Sequence, residues 1–190
     1  MSTQPKDYIT PEQYLEIDRK AEFKSEYYQG EMFAMAGAGW IHNRLVSRWV
    51  AQFERQFTGG RCQGVPNDQR VQVSATKLYT YPDVVVVCGE PEFADERRET
   101  LLNPTVIVEV LSPSTEAYDR GRKFEHYRSI SSLQYYVLVA SDRMHIDWYI
   151  RQPNERWLLG SASQPEHVVA LDAIGCNIKL SDVYEGLDLA

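Results

Sequence analysis

Two valine-rich runs, "DVVVVC" at 83–88 and "TVIVEVL" at 105–111, constrain the fold of this chain more than any other feature. Short apolar runs bounded by turn-forming residues are typical of strands that are buried on both faces of a sheet. The second run carries one carboxylate, Glu109, among its valines. A buried carboxylate without a partner costs several kcal/mol or becomes protonated, so Glu109 requires a cation, a hydrogen-bond network or a metal ion.

A second carboxylate, Asp83, lies at the start of the other valine-rich run, directly after Pro82. If the two runs form neighbouring strands, Asp83 and Glu109 come together and repel each other unless a proton or a cation lies between them. Magnesium prefers oxygen ligands and usually keeps several waters. The sequence therefore predicts a site for Mg²⁺ or Mn²⁺ that is formed by Asp83, Glu109 and the backbone carbonyl of Val110.

Two further side chains are candidates for catalysis at the same site. Lys123 lies on a predicted helix shortly after Glu109, where an ammonium group can stabilise charge on a phosphate and orient a water. A solvated lysine that pairs with Asp119 at i,i+4 is the alternative. His42 lies near the start of a long predicted helix, where a histidine is more often a capping or core residue than a catalytic one.

Structural roles are also open for the two acids. Asp83 follows a proline, and Pro-Asp pairs commonly begin turns and strand edges. Glu109 can be a partnered structural carboxylate or an exposed edge residue. The ordered combination of both acids with Lys123 favours a functional site over these separate interpretations.

Periodicity predicts the elements around this pair of strands. A capping box at Thr10 and Gln13, with Pro11 at the first helical position, predicts a helix to about residue 20. "EYYQGEMFAMA" predicts a β-hairpin with a Gln29-Gly30 turn, and apolar residues at three- and four-residue steps predict a long helix over 41–57. Further strands are expected around "RCQGV", "QRVQVS", "LQYYVLVA", "HIDWYIR" and "RWLLG", with a helix over 118–129 and a final helical turn in "IKLSDVYEGL". The charged segment 89–104 is expected to be a flexible surface loop.

Composition limits the class of protein. A chain of 190 residues with 43% hydrophobic residues suits one globular domain over residues 1–190, with a mixed sheet flanked by helices. Its apolar runs are too short to cross a bilayer, and its first residues lack the apolar stretch of a signal peptide, so we expect a cytoplasmic protein without a membrane partner. Cys62, Cys88 and Cys176 are widely spaced, and we expect them to be reduced.

The charge distribution limits the possible partners. A net charge of −7 weighs against a protein that coats nucleic acid non-specifically, because such binding depends on neutralised phosphates. The stretch "DRGRKFEHYR" is nevertheless locally basic. Arg120 and Arg122 in this stretch are candidates for contacts to DNA phosphates, which position a substrate without reading its sequence.

A resemblance to a known family adds to this interpretation. The strings "YPDVVVVC" and "NPTVIVEVLSPSTEAYDRGRKFEHYRSISSLQYYVLV" strongly resemble the Uma-two family of restriction-endonuclease-like proteins, and "EYYQGEMFAMAG" and "WIHNRL" extend the resemblance over about residues 10–150. That family looks like a branch of the PD-(D/E)XK phosphodiesterase superfamily, which implies a central mixed β-sheet flanked by helices. Its motif acids correspond to Asp83 and Glu109. The superfamily lysine usually follows the glutamate by two residues, where this chain has Leu111, and the resemblance implies that Lys123 on the next helix replaces it.

The resemblance implies a magnesium-dependent endonuclease that hydrolyses phosphodiester bonds of DNA, without an organic cofactor. We also expect a homodimer, because two symmetric sites can cut both strands of a duplex. The alternative is a non-catalytic nuclease-fold module that binds DNA or protein, in which the acids and Lys123 form a structural ion-pair cluster. A two-carboxylate glycosidase has little support, because it would not require Lys123.

Overall fold

The computed structural model describes residues 8–57 and 59–189, and these form helices and three β-sheets. The helices are α1 (Pro11–Asp18), α2 (Trp40–Gln56), α3 (Glu116–Tyr118), α4 (Phe124–Tyr127) and α5 (Leu180–Tyr184). A π-helical turn (Asp119–Lys123) joins α3 to α4. The strands are β1 (Ser25–Tyr28), β2 (Glu31–Ala34), β3 (Cys62–Pro66), β4 (Arg70–Val73), β5 (Leu78–Thr80), β6 (Val84–Cys88), β7 (Thr100–Leu101), β8 (Val106–Leu111), β9 (Tyr135–Ala140), β10 (Ile146–Arg151), β11 (Trp157–Ala162), β12 (Val168–Leu171) and β13 (Cys176–Lys179).

The two valine-rich runs form the middle of the largest sheet. Its six strands have the order β11-β10-β9-β8-β6-β3, with β8 parallel to β9 and the other neighbours antiparallel. Every residue of β8 is buried, which confirms a strand covered on both faces. The register pairs Val84 with Val108. One step further, Asp83 stands opposite Glu109, on the same face of the sheet.

The central sheet is covered by a different layer on each face. On one face lie α2, α5 and the small sheet β12-β13, and Leu45, Trp49 and Phe53 of α2 are fully buried against the strands. The α2 residues that pack on this face are those whose three- and four-residue apolar spacing predicts the long helix. On the other face lie α4 and a five-stranded mixed sheet with the order β2-β1-β5-β4-β7. Glu109 points into this second interface, where it contacts Tyr127 of α4.

The N-terminal elements join the five-stranded sheet. The capping box of α1 is present as predicted, with Thr10 and Gln13 bonded reciprocally. The β1-β2 hairpin turns at Gln29 and Gly30, which both have positive φ angles of 50° and 86°. A two-residue turn with this backbone matches the twist of the flanking strands. The structure therefore confirms the predicted fold class, a mixed β-sheet flanked by helices. It also confirms the N-terminal helix and the β-hairpin.

The predicted flexible loop over 89–104 is wrong in its last part. It contains β7, whose Thr100 and Leu101 are buried and pair in parallel with β4. Two buried residues among many charged ones leave no periodicity to detect, so only the neighbouring strand defines this element. Strands β5, β12 and β13 are further short elements that the sequence analysis does not predict.

The prediction of three reduced cysteines is also wrong. Cys62 and Cys88 form a disulfide, and they stand directly opposite each other in the antiparallel pair β3-β6. Their separation of 26 residues carries no signal in the sequence, because the strand register alone brings them together. Cys176 is a buried free thiol, and burial raises its pKa to about 11. In the described part of the chain, none of the helices has the length and apolar character needed to span a bilayer.

Candidate active site

Glu109 lies in the middle of β8 and has two partners on the covering helix. Its Oε1 accepts a hydrogen bond from Tyr127 Oη at 2.8 Å and forms an ion pair with Lys123 Nζ at 2.9 Å. The glutamate is only 3% exposed. The sequence leaves open which partner the buried Glu109 has. In the structure, this partner is the Lys123 ammonium group, supported by the Tyr127 hydrogen bond.

The π-helical turn brings Lys123 to this position. Lys123 Nζ lies 3.4 Å from Asp119 Oδ1 and 3.4 Å from Glu26 Oε1, in addition to its contact with Glu109. The backbone carbonyl of Asp119 accepts a hydrogen bond from Tyr136 Oη at 2.9 Å, which fixes the turn against β9. Asp119 and Lys123 are both buried, so the solvated lysine considered as an alternative is excluded. π-helical turns are rare and occur frequently at functional sites.

Asp83 is held by a different set of contacts on the other side of Glu109. Its Oδ2 accepts a hydrogen bond from the Val110 backbone N–H at 2.8 Å and lies 3.1 Å from His42 Nε2. His42 belongs to the first turn of α2, so the long helix on the opposite face reaches the acids only through its N-terminal end. The Nδ1 atom of His42 is buried without a hydrogen-bond partner in the described residues.

Glu26 of β1 is a site residue that the sequence analysis misses. Its Oε1 accepts a hydrogen bond from Thr80 Oγ1 and contacts Lys123, and its Oε2 accepts a bond from Tyr118 Oη at 3.4 Å. The only available signal is the alternation in "SEYY", which places Glu26 on the face opposite the buried Tyr27. That alternation does not reveal what covers the face, because α3 and the π-helical turn come about 90 residues later in the chain.

This cluster contains more acidic than basic groups. Burial raises the pKa of Glu109 to about 8; Lys123 opposes this shift, and Asp83 and Asp119 add to it. Burial likewise raises the pKa of Asp119, against the effect of Lys123. For Lys123, burial opposes the charged form, but Glu109, Tyr127 and Glu26 hold its pKa well above the ordinary value. Lys123 is therefore a permanent cation, and the carboxylates around it compete for protons.

The donor set fits a hard divalent cation that is mostly hydrated. Within the described residues, no three histidine, cysteine, aspartate or glutamate side chains form a metal-binding group. Magnesium often uses only one or two carboxylates and completes its shell with water. The hydrogen bonds of the two motif acids in the described residues involve Asp83 Oδ2 and Glu109 Oε1, which leaves Asp83 Oδ1 and Glu109 Oε2 for a cation. A dication there would oppose the effects of burial and of the neighbouring carboxylates that raise the pKa of Glu109.

The two predicted DNA-contacting arginines lie at the edge of this site in different environments. Arg120 forms ion pairs with Glu116 at 2.8 Å and with Asp147 at 2.7 Å, so its guanidinium group connects the π-helical turn to β10. Arg122 is exposed. Of the two, Arg122 is the better placed for a phosphate contact, since Arg120 would first have to break its ion pairs.

Comparisons with known proteins show the family and the fold of this chain. The model of the Uma2 family, described as "Putative restriction endonuclease", matches residues 11–181. An uncharacterized protein of Synechocystis sp. is 36% identical over 181 residues, covering 94% of this chain and 93% of its own length. A second uncharacterized Synechocystis protein is 34% identical over 151 residues, covering 80% and 85%. The crystal structure of a protein from Anabaena variabilis, titled a putative nuclease belonging to DUF820, has the same fold, with a TM-score of 0.76 at 18% identity over 93% of this chain and 97% of that one.

Proposed function

The chain belongs to the Uma2 family of restriction-endonuclease-like nucleases, and on that premise we propose that it is a magnesium- or manganese-dependent endonuclease that hydrolyses phosphodiester bonds of DNA. One observation carries the proposal. Asp83, directly before β6, accepts a hydrogen bond from the residue after Glu109 on the neighbouring strand β8, and Lys123 reaches Glu109 at 2.9 Å from a helix instead of from the same strand. The site thus contains the acids and the lysine that the chemistry requires, although Leu111 replaces the usual lysine.

The two acids have the role of holding the cation. Asp83, Glu109 and the Val110 carbonyl would bind Mg²⁺, which polarises the scissile phosphate and lowers the pKa of a bound water. His42 and the Val110 N–H both contact Asp83 Oδ2, so they orient this carboxylate with Oδ1 turned away from them. We assign His42 to positioning Asp83.

Lys123 has the role of a fixed positive charge. Because its neighbours hold its pKa well above the ordinary value, it remains protonated and does not act as a base. Its ammonium group stabilises the negative charge that develops on the phosphate and orients the attacking water. Asp119 and Glu26 hold Nζ in place. Without these contacts, the long and flexible lysine side chain would not keep a single position.

A non-catalytic module is the second candidate, and a specific observation favours it. Lys123 and Tyr127 together already satisfy Glu109 Oε1, so the cluster can persist as a structural ion pair. In that case the scaffold binds DNA or protein without cleaving it. The two candidates differ in a measurable way, because only the endonuclease requires the cation.

Plasmid nicking separates the two candidates. Purified protein is incubated with supercoiled plasmid in magnesium, in manganese and in chelator, beside Asp83→Ala. The matched control is Asp182→Ala, which removes a carboxylate from α5 on the opposite face of the central sheet. We expect metal-dependent nicking by the wild type and by Asp182→Ala and none by Asp83→Ala. Nicking that persists in Asp83→Ala contradicts the assignment, and the absence of cleavage in every condition supports the binding module.

Metal binding is a second, independent readout. Calorimetric titration with magnesium is expected to show binding by the wild type that Glu109→Ala abolishes.

The homodimer, the cytoplasmic location and the phosphate contacts of Arg120 and Arg122 remain predictions. Analytical ultracentrifugation tests the first of these, since a monomer at all concentrations contradicts it.

A further inference from the structure

An exposed segment without charge runs from the end of β2 to the first residue of α2. Residues 33–40, "FAMAGAGW", contain no charged residue in a chain that is 25% charged, and they begin and end with an aromatic residue. Phe33 is 47% exposed and Trp40 is 75% exposed. Side chains added at Gly37 or Gly39 would meet nothing within 4 Å, so this part of the segment does not pack against the protein. A stretch of exposed residues without charge is a candidate binding surface.

Phe33 lies on the same side of the hairpin as the active-site acid Glu26. The β1-β2 register places Phe33 directly opposite Glu26, so both side chains project from one face. The neighbouring pair, Tyr27 and Met32, packs on the other face with Tyr14 of α1. Since Glu26 contacts Lys123, the Phe33 ring stands beside the acid that holds the lysine.

Trp40 precedes the His42 end of the charged cluster in the chain, and its side chain lies on the exposed side of α2. It is the first residue of α2, two residues before His42, which contacts Asp83. The Arg44 guanidinium lies 5.9 Å from the centre of the Trp40 ring, so a positive charge accompanies the aromatic surface. The segment 33–40 therefore connects the Glu26 side of the cluster to the Asp83 side, with an exposed aromatic ring at each end.

We propose that Phe33 and Trp40 stack on unpaired nucleobases that flank the scissile phosphate, and that the preferred substrate is DNA with a single-stranded or unpaired segment. This inference rests on the proposed nuclease function and specifies its substrate class. Aromatic side chains bind the faces of bases, which neighbouring base pairs cover in an intact duplex. A net charge of −7 provides little general attraction for phosphates, so stacking is the available source of affinity.

The test measures binding in chelator, so that it does not depend on cleavage. Fluorescence anisotropy compares a labelled single-stranded oligonucleotide with the duplex that it forms with its complement. The variants are Trp40→Ala, Phe33→Ala and the ring-preserving Trp40→Phe. Leu158→Ala is the matched control, because Leu158 is 57% exposed on β11, an edge strand three positions from β8. Thermal melting verifies that each variant is folded.

The wild type is expected to bind the single strand more tightly than the duplex. Trp40→Ala and Phe33→Ala each weaken single-strand binding about tenfold, whereas Trp40→Phe and Leu158→Ala change it less than about twofold. Unchanged single-strand affinity in both alanine variants, or an equal loss on both forms of DNA, overturns the inference. If the inference is overturned in this way but the wild type nicks plasmid in magnesium, the proposed nuclease function still stands. If single-strand binding behaves as expected but no cleavage occurs, the nuclease function fails and the stacking site stands.

Discussion

Among the described residues, the buried charges around Arg70 and those around Lys123 differ in their balance. In the first, Arg70 pairs with Asp18 at 2.6 Å, with side chains that are 4% and 3% exposed. Thr100 and Tyr81 accept further hydrogen bonds from the guanidinium group, at 3.1 Å and 3.0 Å. One buried cation therefore meets one buried anion, and neutral hydroxyl groups and the partly exposed Glu99, 3.6 Å from the guanidinium group, complete the network.

The second cluster has one buried cation and an excess of acids. Lys123 lies within 3.4 Å of Glu109, Asp119 and Glu26, and Asp83 adds a fourth carboxylate next to Glu109. The Arg70 cluster is complete as it stands and connects α1 to the five-stranded sheet. The Lys123 cluster is left with uncompensated negative charge, which is expensive in a buried position unless a proton or a cation binds. From this difference we expect the first cluster to serve stability, and under our proposal the second serves binding.

The largest expected effect is on the balanced cluster. Arg70→Met leaves the buried carboxylate of Asp18 without its cation and is expected to lower the free energy of unfolding by about 3–5 kcal/mol. Lys123→Met is expected to cost less, because Glu109 already has a raised pKa and can take up a proton. Urea denaturation at pH 7 measures both variants. Equal losses would remove the distinction between the two clusters.

Glu109→Gln is expected to separate activity from stability. The amide oxygen can still accept the Tyr127 hydrogen bond, while one of the crowded carboxylates is removed, so the metal-free variant is expected to be at least as stable as the wild type. The nicking rate should fall about 10²- to 10³-fold, as when a charge-stabilising group is lost. Asp18→Asn is the matched variant and should lower stability without changing the rate per folded molecule. A Glu109→Gln protein with wild-type nicking contradicts the proposed site.

The pH dependence sharpens the comparison further. In the metal-free protein, Glu109 has a pKa of about 8 against an ordinary value of 4.5. The native state therefore binds more protons than the unfolded chain between these values, and the free energy of unfolding falls as the pH rises through this window. Because magnesium displaces the proton, its affinity should rise about tenfold per pH unit up to about pH 8 and then level off. Calorimetric titrations from pH 6 to 9 measure this, and a flat profile contradicts an ionisable ligand of raised pKa.

The smallest effect concerns the two arginines at the edge of the site. If Arg122 contacts a phosphate, Arg122→Ala should reduce the slope of log affinity against log salt by about one. Arg120→Ala should leave the slope unchanged, because Glu116 and Asp147 already occupy its guanidinium group. Binding titrations over a range of salt concentrations decide between them. A larger change for Arg120→Ala than for Arg122→Ala reverses this ranking.

Local patterns predict those parts of the fold that depend on neighbouring residues. The capping box of α1, the Gln29-Gly30 turn and the apolar face of α2 all follow from residues within a few positions of each other. The strands around Glu109 are equally clear, because burial on both faces requires continuous apolar residues. Elements defined by distant partners are not predicted, and β7 and the disulfide between Cys62 and Cys88 are examples.

The sequence by itself determines that Asp83 directly precedes one buried strand, that Glu109 lies within another, and that Glu109 requires a partner. Only the tertiary structure decides that this partner is Lys123, that a π-helical turn brings it there, and that Glu26 from the N-terminal hairpin completes the cluster. The physical reason is the sequence distance between the residues that determine each feature. Strand burial follows from the hydrophobicity of adjacent residues, whereas the meeting of charges from β1, β8 and the turn before α4 depends on the packing of two sheets and a helix, which no local pattern encodes.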